Sequence, residues 1–400
     1  MSVIGIVGEY DPFHYGHKHH IEQTKAVLGE DSPVVCVMSG DFIQRGEAAI
    51  FSKYARAEAA LKGGADLVLE LPLPWVLSSA EGFARGAVGL LAATGVVTHL
   101  SFGSECGDTE PLCSLAELML DPGFGSAIRS ELELDEGIPF ALARERAAEK
   151  RIGDKAKLLK APNNILAVEY IKAIYDQSLP LKPVTVPRFG AGHDASGGTG
   201  PRSASEIRAA MSSGVDIAPF VPEGVYNIYE REKRLGRGPV FMSKLEIPVL
   251  SRLRMLDDEA FASLPDAGEG LENRLCRAAK SECTLNAVVS AAKSKRYALS
   301  RIRRMTVCAA LGIKSGDAAG IPPYIRVLAA NSRGCELLRR MDGTACVPVV
   351  TKPASVNRLD AECKRIFDIG SAAHDLFVLA YPAPEERKGG SDWRSGPIIV

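Results

Sequence analysis

Residues 3–20 read VIGIVGEYDPFHYGHKHH, and this stretch decides how the rest of the chain is interpreted. The apolar, β-branched run at 3–7 predicts a buried strand, and the periodic apolar spacing of 21–28 predicts a helix. Between them lies a polar loop with proline and glycine that holds four of the seven histidines of the chain. A strand, a loop and a helix in this order are typical of the first unit of a parallel α/β fold.

The same alternation continues through the first hundred or so residues. Apolar runs at 34–38, 66–71 and 97–102 predict three more strands, and 53–63 predicts a helix with an alanine-rich face. We therefore expect an α/β fold with a Rossmann-like, doubly wound parallel sheet, in which ligands bind at the carboxyl ends of the strands.

The second half of the chain has a different pattern. Beyond about residue 215 the β-rich runs become rare and helical patterns with basic faces dominate. We expect a catalytic domain over 1–215 and a mainly helical domain over 216–400. Residues 190–200 are rich in glycine and predict a mobile loop.

Composition excludes several classes of protein. With 46% hydrophobic residues, 24% charged residues and a formal net charge of −1, the chain is typical of a globular protein in which any polyanion site must be a local patch. Nine cysteines without a C-x-x-C pair argue against a disulfide framework and against a structural zinc site. No segment predicts export or membrane insertion, so we expect a cytoplasmic protein without a membrane partner or a bound structural metal.

The histidine loop has the composition of a phosphate-binding site. His14 and His17 stand three residues apart, and Gly16 precedes the second of them. If a helix begins here, both rings can face one point beside its N-terminus, where backbone N–H groups and the helix dipole favour an anion. Imidazoles at that point can donate hydrogen bonds to oxygens that gain charge during attack on phosphorus.

Residues 11–17, DPFHYGH, resemble the H-x-G-H signature of the nucleotidylyltransferase superfamily, which includes the class I aminoacyl-tRNA synthetases. The partner motif of that superfamily, a serine-rich turn that ends in Ile-Arg, is similar to residues 203–208, SASEIR. The resemblance implies that the histidines stabilise the α-phosphate of ATP, and that the serines and the arginine hold the β- and γ-phosphates. The catalytic residues that it implies are His14, His17 and Arg208.

Four further stretches, at 38–47, 64–72, 102–105 and 162–170, look like the bacterial tRNA(Met) cytidine acetate ligase family, and the likeness extends over 297–312 and 325–329. It implies ATP-dependent activation of acetate as acetyl-adenylate. The acetyl group then passes to the wobble cytidine of elongator tRNA(Met), which becomes N4-acetylcytidine. We expect Mg²⁺ on the leaving pyrophosphate.

The resemblance also implies a set of ATP contacts. They are Val7, Gly8, Glu9, Tyr10, Asp11, Pro12, Phe13, Tyr15, Gly16, Lys18, His19, His20, Gly103, Asn163, Asn164, Arg188, Ser203 and Ser205. Asp11 departs from the family, which more often has asparagine there; since both are short polar turn formers, we expect ATP binding to survive. Asp41, Gln44 and Arg45 follow the second strand and are expected on the side of the second substrate, with plain turn chemistry as the alternative.

Several of these residues have a structural alternative. His14 and His17 could cap a helix, and His19 and His20 could face solvent in its first turn. Asn163 could be a helix N-cap, Ser205 could cap the later helix, and Arg208 could be an ordinary surface arginine. Neither the acetate pocket nor a general base for acetyl transfer can be identified from the sequence.

A basic run at 291–305 is the local signal for RNA. It contains no acidic residue, and its predicted tRNA contacts are Lys293, Lys295, Arg296, Tyr297, Arg301, Arg303 and Arg304, with Tyr297 as a stacking surface. A solvated helix face is the alternative. Arg333, Arg339 and Arg340 form a weaker cluster that Glu336 dilutes.

Two other functions fit parts of this pattern. An adenylyltransferase that acts on a small phosphorylated metabolite would use the same two motifs, although the long second half argues against it. A catalytically silent RNA-binding protein that senses ATP is disfavoured because His14, His17 and Arg208 are all present.

Overall fold

The computed structural model describes residues 2–135, 138–188 and 202–400, so the glycine-rich stretch at 190–200 lies outside the described residues. The strands are β1 Ile4–Gly8, β2 Val34–Ser39, β3 Phe42–Ile43, β4 Glu47–Ala48, β5 Leu67–Leu71, β6 His99–Ser104, β7 Lys182–Pro187, β8 Ile325–Ala330, β9 Val349–Val350 and β10 Ile398–Ile399. The four strands predicted in the first 102 residues are confirmed to within two residues at each end.

The α-helices pack on this sheet and on one another. They are α1 Tyr15–Leu28, α2 Lys53–Lys62, α3 Leu73–Val76, α4 Ala80–Ala93, α5 Thr109–Leu120, α6 Phe124–Leu134, α7 Phe140–Ile152, α8 Pro162–Asp176, α9 Ala204–Ser212, α10 Glu223–Arg234, α11 Glu246–Arg254, α12 Asp258–Ala262, α13 Leu271–Ser281, α14 Leu285–Ala292, α15 Leu299–Leu311, α16 Ser332–Met341 and α17 Ala361–Val378. Within the described residues, no helix is both long and apolar enough to cross a bilayer.

The strand order of the main sheet is β10-β8-β5-β2-β1-β6-β7, with β9 paired to β8. All pairs from β5 to β7 are parallel, whereas β8 runs antiparallel to β5. The predicted α/β class with a mostly parallel sheet is confirmed. The sheet crosses the boundary predicted at residue 215, because β8, β9 and β10 from the C-terminal half complete it.

Alternating side chains of the central strands pack into two cores, one on each face of the sheet. Val35 and Val37 of β2 belong to the larger core, which also contains the apolar side of α4. Cys36 and Met38, which point the opposite way, belong to the second core together with the alanines of α2. Burial on both faces explains why these strands are continuous apolar runs in the sequence.

One buried arginine ties the carboxyl ends of β1 and β2 together. Arg56 of α2 is fully buried and donates hydrogen bonds to the main-chain oxygens of Glu9, Ser39, Gly40 and Phe51. A guanidinium is tolerated in the interior only when its N–H groups are satisfied, so these four carbonyls are held in place by it. Arg56 therefore fixes the loops that begin at the ligand-binding edge of the sheet.

A second set of buried charges joins the C-terminal segment to the sheet. We call it the buried ionic network; its members are Asp41, Lys53, Tyr54, Glu70, Arg326, His374 and Asp392. Lys53 Nζ lies 2.9 Å from Glu70 Oε1 and 2.9 Å from Asp392 Oδ1. Arg326 makes a bidentate pair with the Asp392 carboxylate at 2.8 and 2.9 Å, and His374 Nδ1 lies 2.8 Å from Asp41 Oδ2. Each charge in the network faces an opposite charge.

Candidate active site

A cavity of about 940 Å³ opens at the carboxyl ends of β1 and β6. Its walls come from the loop before α1, the β3–β4 hairpin, and the first turns of α8 and α9. The predicted site residues that line it are Val7, Gly8, Glu9, Tyr10, Asp11, His14, Gly16, His17, His19, His20, Gly103, Asn163, Arg188, Ser203, Ser205 and Arg208. The structure thus brings both predicted phosphate motifs to one cavity.

Both key histidines use the same ring nitrogen to hold the backbone. His14 is the N-cap of α1, and its Nδ1 accepts a hydrogen bond from Gly16 N at 3.0 Å. His17 Nδ1 accepts from His14 N at 3.3 Å, and the two ring centroids lie 3.9 Å apart. Because Nδ1 accepts in each case, the neutral rings carry their proton on Nε2 and act as donors there. Capping and ligand binding are therefore compatible roles for these residues.

Gly16 is required by the position of the first histidine. A Cβ at residue 16 would lie 2.8 Å from His14 Cε1, which is closer than such atoms approach. Any side chain there would push the ring away from the helix N-terminus.

Enclosure by protein keeps these histidines neutral. Burial, with a smaller contribution from the Arg188 charge, lowers the pKa of His14 to about 4. Burial also holds the pKa of His17 well below its usual range, and neighbouring His14 lowers it further. At neutral pH the pair therefore presents two uncharged N–H donors beside the N-terminus of α1, which is an arrangement suited to phosphate oxygens.

His20 is not a solvent-facing residue, which corrects that alternative. Its Nε2 lies 2.9 Å from Ser101 Oγ, and Ser101 Oγ lies 2.6 Å from Thr24 Oγ1. Burial lowers the pKa of His20 to about 4. Ser101 on β6 was not identified from the sequence, because no local motif marks it.

Arg208 connects the two motifs directly. Its Nη1 donates to the main-chain oxygen of Asp11 at 2.6 Å and lies 3.2 Å from Asp11 Oδ2. The other carboxylate oxygen of Asp11 accepts from Ile50 N at 2.7 Å. Arg208 is therefore not an ordinary surface arginine, and Asp11 is more than a turn former, since its negative charge holds the guanidinium at the cavity wall.

The first turn of α9 is capped within the cavity. Ser203 is the N-cap, and Glu206 accepts hydrogen bonds from Ser203 N at 2.7 Å and Ser203 Oγ at 2.6 Å. Ser205 Oγ lies 3.0 Å from Ser203 Oγ. The capping alternative is thus correct for Ser203 rather than for Ser205, while both hydroxyls line the cavity.

Asn163 and Arg188 form a further part of the cavity wall. Helix α8 begins at Pro162, and the carboxylate of Glu105 accepts the main-chain N–H groups of Asn163 and Asn164 at 3.2 and 2.8 Å. The cap is therefore Glu105, which sequence reasoning missed as a functional residue, and not Asn163. Arg188 Nη1 donates to Asn163 Oδ1 at 2.7 Å. A Cβ at Gly103 would lie 3.1 Å from Arg188 Cγ, so glycine allows this approach.

Five of the predicted ATP contacts do not line the cavity. They are Pro12, Phe13, Tyr15, Lys18 and Asn164. Phe13 is fully buried, and its main-chain N donates to Tyr229 at 2.9 Å. Tyr15 is 44% exposed. Lys18 Nζ lies 3.6 Å from Glu22 Oε1, one turn further along α1. Asn164 is buried, where its Oδ1 accepts from Glu105 N and Cys106 N.

The β3–β4 hairpin places its tip in the cavity. Gln44 and Arg45 line the cavity, whereas Asp41 belongs to the buried ionic network. Gln44 N donates to Glu9 Oε1 at 2.7 Å. A Cβ at Gly46 would lie 2.5 Å from main-chain atoms of Arg303 and Arg304, so the hairpin tip also packs against α15.

Much of the basic run at 291–305 is neutralised by acids from other segments. Arg304 is buried, and its Nη2 lies 2.9 Å from Asp266 Oδ2. Arg301 Nη1 lies 3.2 Å from Glu269 Oε2. Arg303 Nη1 lies 2.7 Å from Glu47 Oε1. These acids are distant in sequence, so the sequence of the run suggests more unpaired positive charge than the structure has. Exposed side chains remain at Lys293, Lys295 and Arg296.

The prediction that Tyr297 provides a stacking surface is wrong for this structure. Its side chain is only 4% exposed, and its hydroxyl donates to the main-chain oxygen of Glu269 at 2.6 Å. The ring belongs to the larger core, because its aromatic area is more stable in contact with apolar neighbours than in water. No ring face is left for a base.

Comparisons with known proteins agree over the whole chain. The model of the HIGH Nucleotidyl Transferase family matches residues 1–392. A protein of Acetivibrio thermocellus named tRNA(Met) cytidine acetate ligase is 36% identical over 416 residues, which cover 100% of both chains. A protein of Caldanaerobacter subterraneus with the same name is 37% identical over 393 residues, covering 95% of this chain and 96% of the relative.

Solved structures give the same result. Thermotoga maritima TmcAL bound with alpha-thio ATP superimposes with a TM-score of 0.91 at 32% identity, with 100% of both chains covered. The apo form of that protein gives a TM-score of 0.93 at the same identity and coverage.

Proposed function

This chain belongs to the HIGH nucleotidyl transferase family, and within it to the tRNA(Met) cytidine acetate ligases, so we propose that it acetylates tRNA(Met) at the expense of ATP. In the proposed reaction, acetate becomes acetyl-adenylate, and the acetyl group passes to the wobble cytidine of elongator tRNA(Met) as N4-acetylcytidine. The observation that carries this proposal is the contact of Arg208 with Asp11, which joins the two phosphate-binding motifs in one cavity.

The first step is attack of an acetate oxygen on the α-phosphorus of ATP. The new C–O–P linkage forms as the bond to pyrophosphate breaks. His14 and His17 donate from Nε2 to α-phosphate oxygens, which gain charge in the transition state. Arg208, with the hydroxyls of Ser203 and Ser205, holds the β- and γ-phosphates at the N-terminus of α9.

Mg²⁺ enters this scheme with the nucleotide. In the described parts of the chain, no group of three or more His, Cys, Asp or Glu side chains could hold a metal ion. We propose that Mg²⁺ would bind together with ATP, where it would supply positive charge to the leaving pyrophosphate. The protein supplies the fixed cations and N–H donors around it.

The second step requires a base of the tRNA to reach the cavity. Single-stranded anticodon nucleotides can be turned out of their stack at low cost. Arg45 is exposed at the hairpin tip, and in the described residues it has no ion-pair partner, so it can meet the RNA backbone beside the cavity. Lys295 and Arg296 extend this positive surface, and they contribute affinity without reading sequence. Since ATP and tRNA are intracellular substrates, we propose that the protein acts in the cytoplasm.

A labelling experiment tests the proposed function. The purified protein is incubated with ATP, Mg²⁺, labelled acetate and total bacterial tRNA, and the digested RNA is searched for labelled acetylcytidine. We expect label that depends on ATP and disappears in the His17→Ala variant. RNA without label, together with pyrophosphate release when phosphorylated metabolites replace acetate, would support a small-molecule adenylyltransferase instead.

A further inference from the structure

Among the described residues, three carboxyl groups line the cavity, and they differ in how their oxygens are engaged. Asp11 Oδ1 accepts from Ile50 N, and Asp11 Oδ2 is buried and paired with the Arg208 guanidinium at 3.2 Å without a hydrogen bond from any described residue. Glu206 accepts from the N-cap of α9. Glu9 Oε1 accepts from Gln44 N at 2.7 Å, whereas within the described residues Glu9 Oε2 accepts no hydrogen bond. Oε2 is also not among the buried polar atoms that lack a partner, so it faces the cavity.

Glu9 lies where the two substrates would meet. It directly follows β1 and precedes the histidine loop, which forms the phosphate side of the cavity. Its side chain is bonded to the tip of the β3–β4 hairpin, which carries Arg45 and packs on α15. Glu9 is thus placed between the phosphate-binding residues and the side proposed for RNA.

The surroundings of Glu9 favour a carboxyl that can exchange a proton. Loss of hydration in the protein interior raises the pKa of Glu9, and the negative charge of Asp11 raises it further. The hydrogen bond from Gln44 N and the charges of Arg56 and Arg208 oppose this rise. In the part of the chain that the structure describes, the phenol of Tyr170 also interacts electrostatically with Glu9. A carboxyl with a pKa nearer to neutrality is a better general base than an exposed one.

We propose that Glu9 is the catalytic base of acetyl transfer. Resting on the proposed function, this assignment fills a role for which the sequence offered no candidate. As the N4 amine of cytidine attacks the carbonyl carbon of acetyl-adenylate, a C–N bond forms and Glu9 Oε2 takes the N4 proton. The C–O bond to the adenylate phosphate then breaks, AMP leaves, and the proton passes from Glu9 to solvent.

The histidines are unsuited to this role. Nδ1 of His14 and Nδ1 of His17 accept main-chain N–H groups, so Nε2 carries the proton and has no free lone pair. Proton removal is needed because an amine that keeps its extra proton after attack is expelled again more readily than AMP. A separate acceptor is therefore required. Among the described residues, Glu9 Oε2 is an accessible cavity carboxylate oxygen that accepts no hydrogen bond, whereas Asp11 Oδ2 is buried against the Arg208 guanidinium.

The test separates the two half-reactions in the full-length protein. Acetate-dependent ATP–pyrophosphate exchange without tRNA reports activation, and single-turnover transfer from enzyme-bound acetyl-adenylate to tRNA reports the second step. For Glu9→Gln we expect transfer to fall about 100-fold or more, since general bases contribute 10²–10⁴-fold, while exchange falls less than about tenfold. Glu230→Gln, a neutral change on the outer face of α10, is the matched control for loss of a carboxylate.

The pH profile of the wild type provides a second measurement that does not depend on how the variant folds. Below the pKa of Glu9, the wild-type transfer rate should fall tenfold per pH unit, and above it the rate should level off. Glu9→Gln should remove this acidic limb. Transfer by Glu9→Gln at close to the wild-type rate, equal loss of both half-reactions, or a wild-type profile without an acidic limb would overturn the assignment. Failure of the wild type to form acetylcytidine would instead overturn the proposed function.

Discussion

The cavity and the buried ionic network both enclose histidines, but they shift the pKa values of these histidines in opposite directions. His14 is 7% exposed and His374 is 4% exposed, so their burial is nearly equal. Burial lowers the pKa of His14, with the Arg188 charge adding to it, whereas at His374 the charge and hydrogen bond of Asp41 outweigh burial and raise the pKa. The difference teaches that the network satisfies its polar groups internally, while the cavity leaves donors and acceptors available to a ligand.

Removing the central cation of the network should have the largest effect on stability. Lys53→Met leaves Glu70 and Asp392 buried without one of their counter-charges, and we expect it to lower the free energy of unfolding by about 3–5 kcal/mol in urea titrations. The matched control is Lys233→Met, which breaks the exposed pair with Glu230 and should cost less than about 1 kcal/mol. Equal costs for the two variants would mean that the network does not hold the fold.

Substitutions in the cavity should change activity rather than stability. His17→Ala removes the N–H donor that we propose for the α-phosphate, so we expect the rate of ATP–pyrophosphate exchange to fall about 100–1,000-fold. The affinity of the variant for tRNA, measured by filter binding, should change less than about threefold, because the proposed partner of the lost donor is ATP and not RNA. His99→Ala, on β6 outside the cavity lining, serves as the control. Unchanged exchange in His17→Ala would remove the histidine from the mechanism.

The opposite pKa shifts predict opposite dependence of stability on pH. His374 has a raised folded-state pKa, so its stabilisation is complete below about pH 6.5 and is lost as the pH rises through the folded-state value. The difference in unfolding free energy between wild type and His374→Gln should therefore shrink at alkaline pH. His14 has a folded-state pKa of about 4, so its contribution falls as the pH drops from about 6.5 to 4, and His14→Ala should lessen the acid sensitivity. Urea titrations across pH check both slopes.

The cations of the basic run at 291–305 also fall into two classes, those that are paired with acids and those that are exposed. Lys295→Ala and Arg296→Ala remove exposed cations, and each should reduce the slope of log affinity for tRNA against log salt by about 1. Arg303→Ala should change that slope less, because Glu47 already holds its guanidinium at 2.7 Å. Lys314→Ala, an exposed cation outside the run, is the control. A larger change for Arg303 than for Lys295 would show that the ion pair with Glu47 opens when RNA binds.

The parts of this structure that could be predicted from sequence are those with local signals. Because β1, β2 and β5 are buried on both faces, their sequences are continuous apolar runs. The spacing of His14 and His17 is recognisable because both lie at the start of one helix. The pairing of β8 with β5 could not be predicted, because antiparallel partners more than 250 residues apart leave no periodic pattern. For the same reason Ser101 and Glu105 were not recognised as supports of the site, and the acids facing the basic run went unnoticed.

The position of Asp392 has a consequence for protein synthesis. Lys53 and Arg326 leave the ribosome before the carboxylate that both of them bind, and the edge strand β10 follows later still. A nascent chain therefore carries the residues that we propose for phosphate binding before it can close the interior beneath them. Chains that terminate early expose buried cations and an unpaired strand edge, which marks them for chaperones and proteases. Closure of the interior therefore depends on the late arrival of Asp392 and β10.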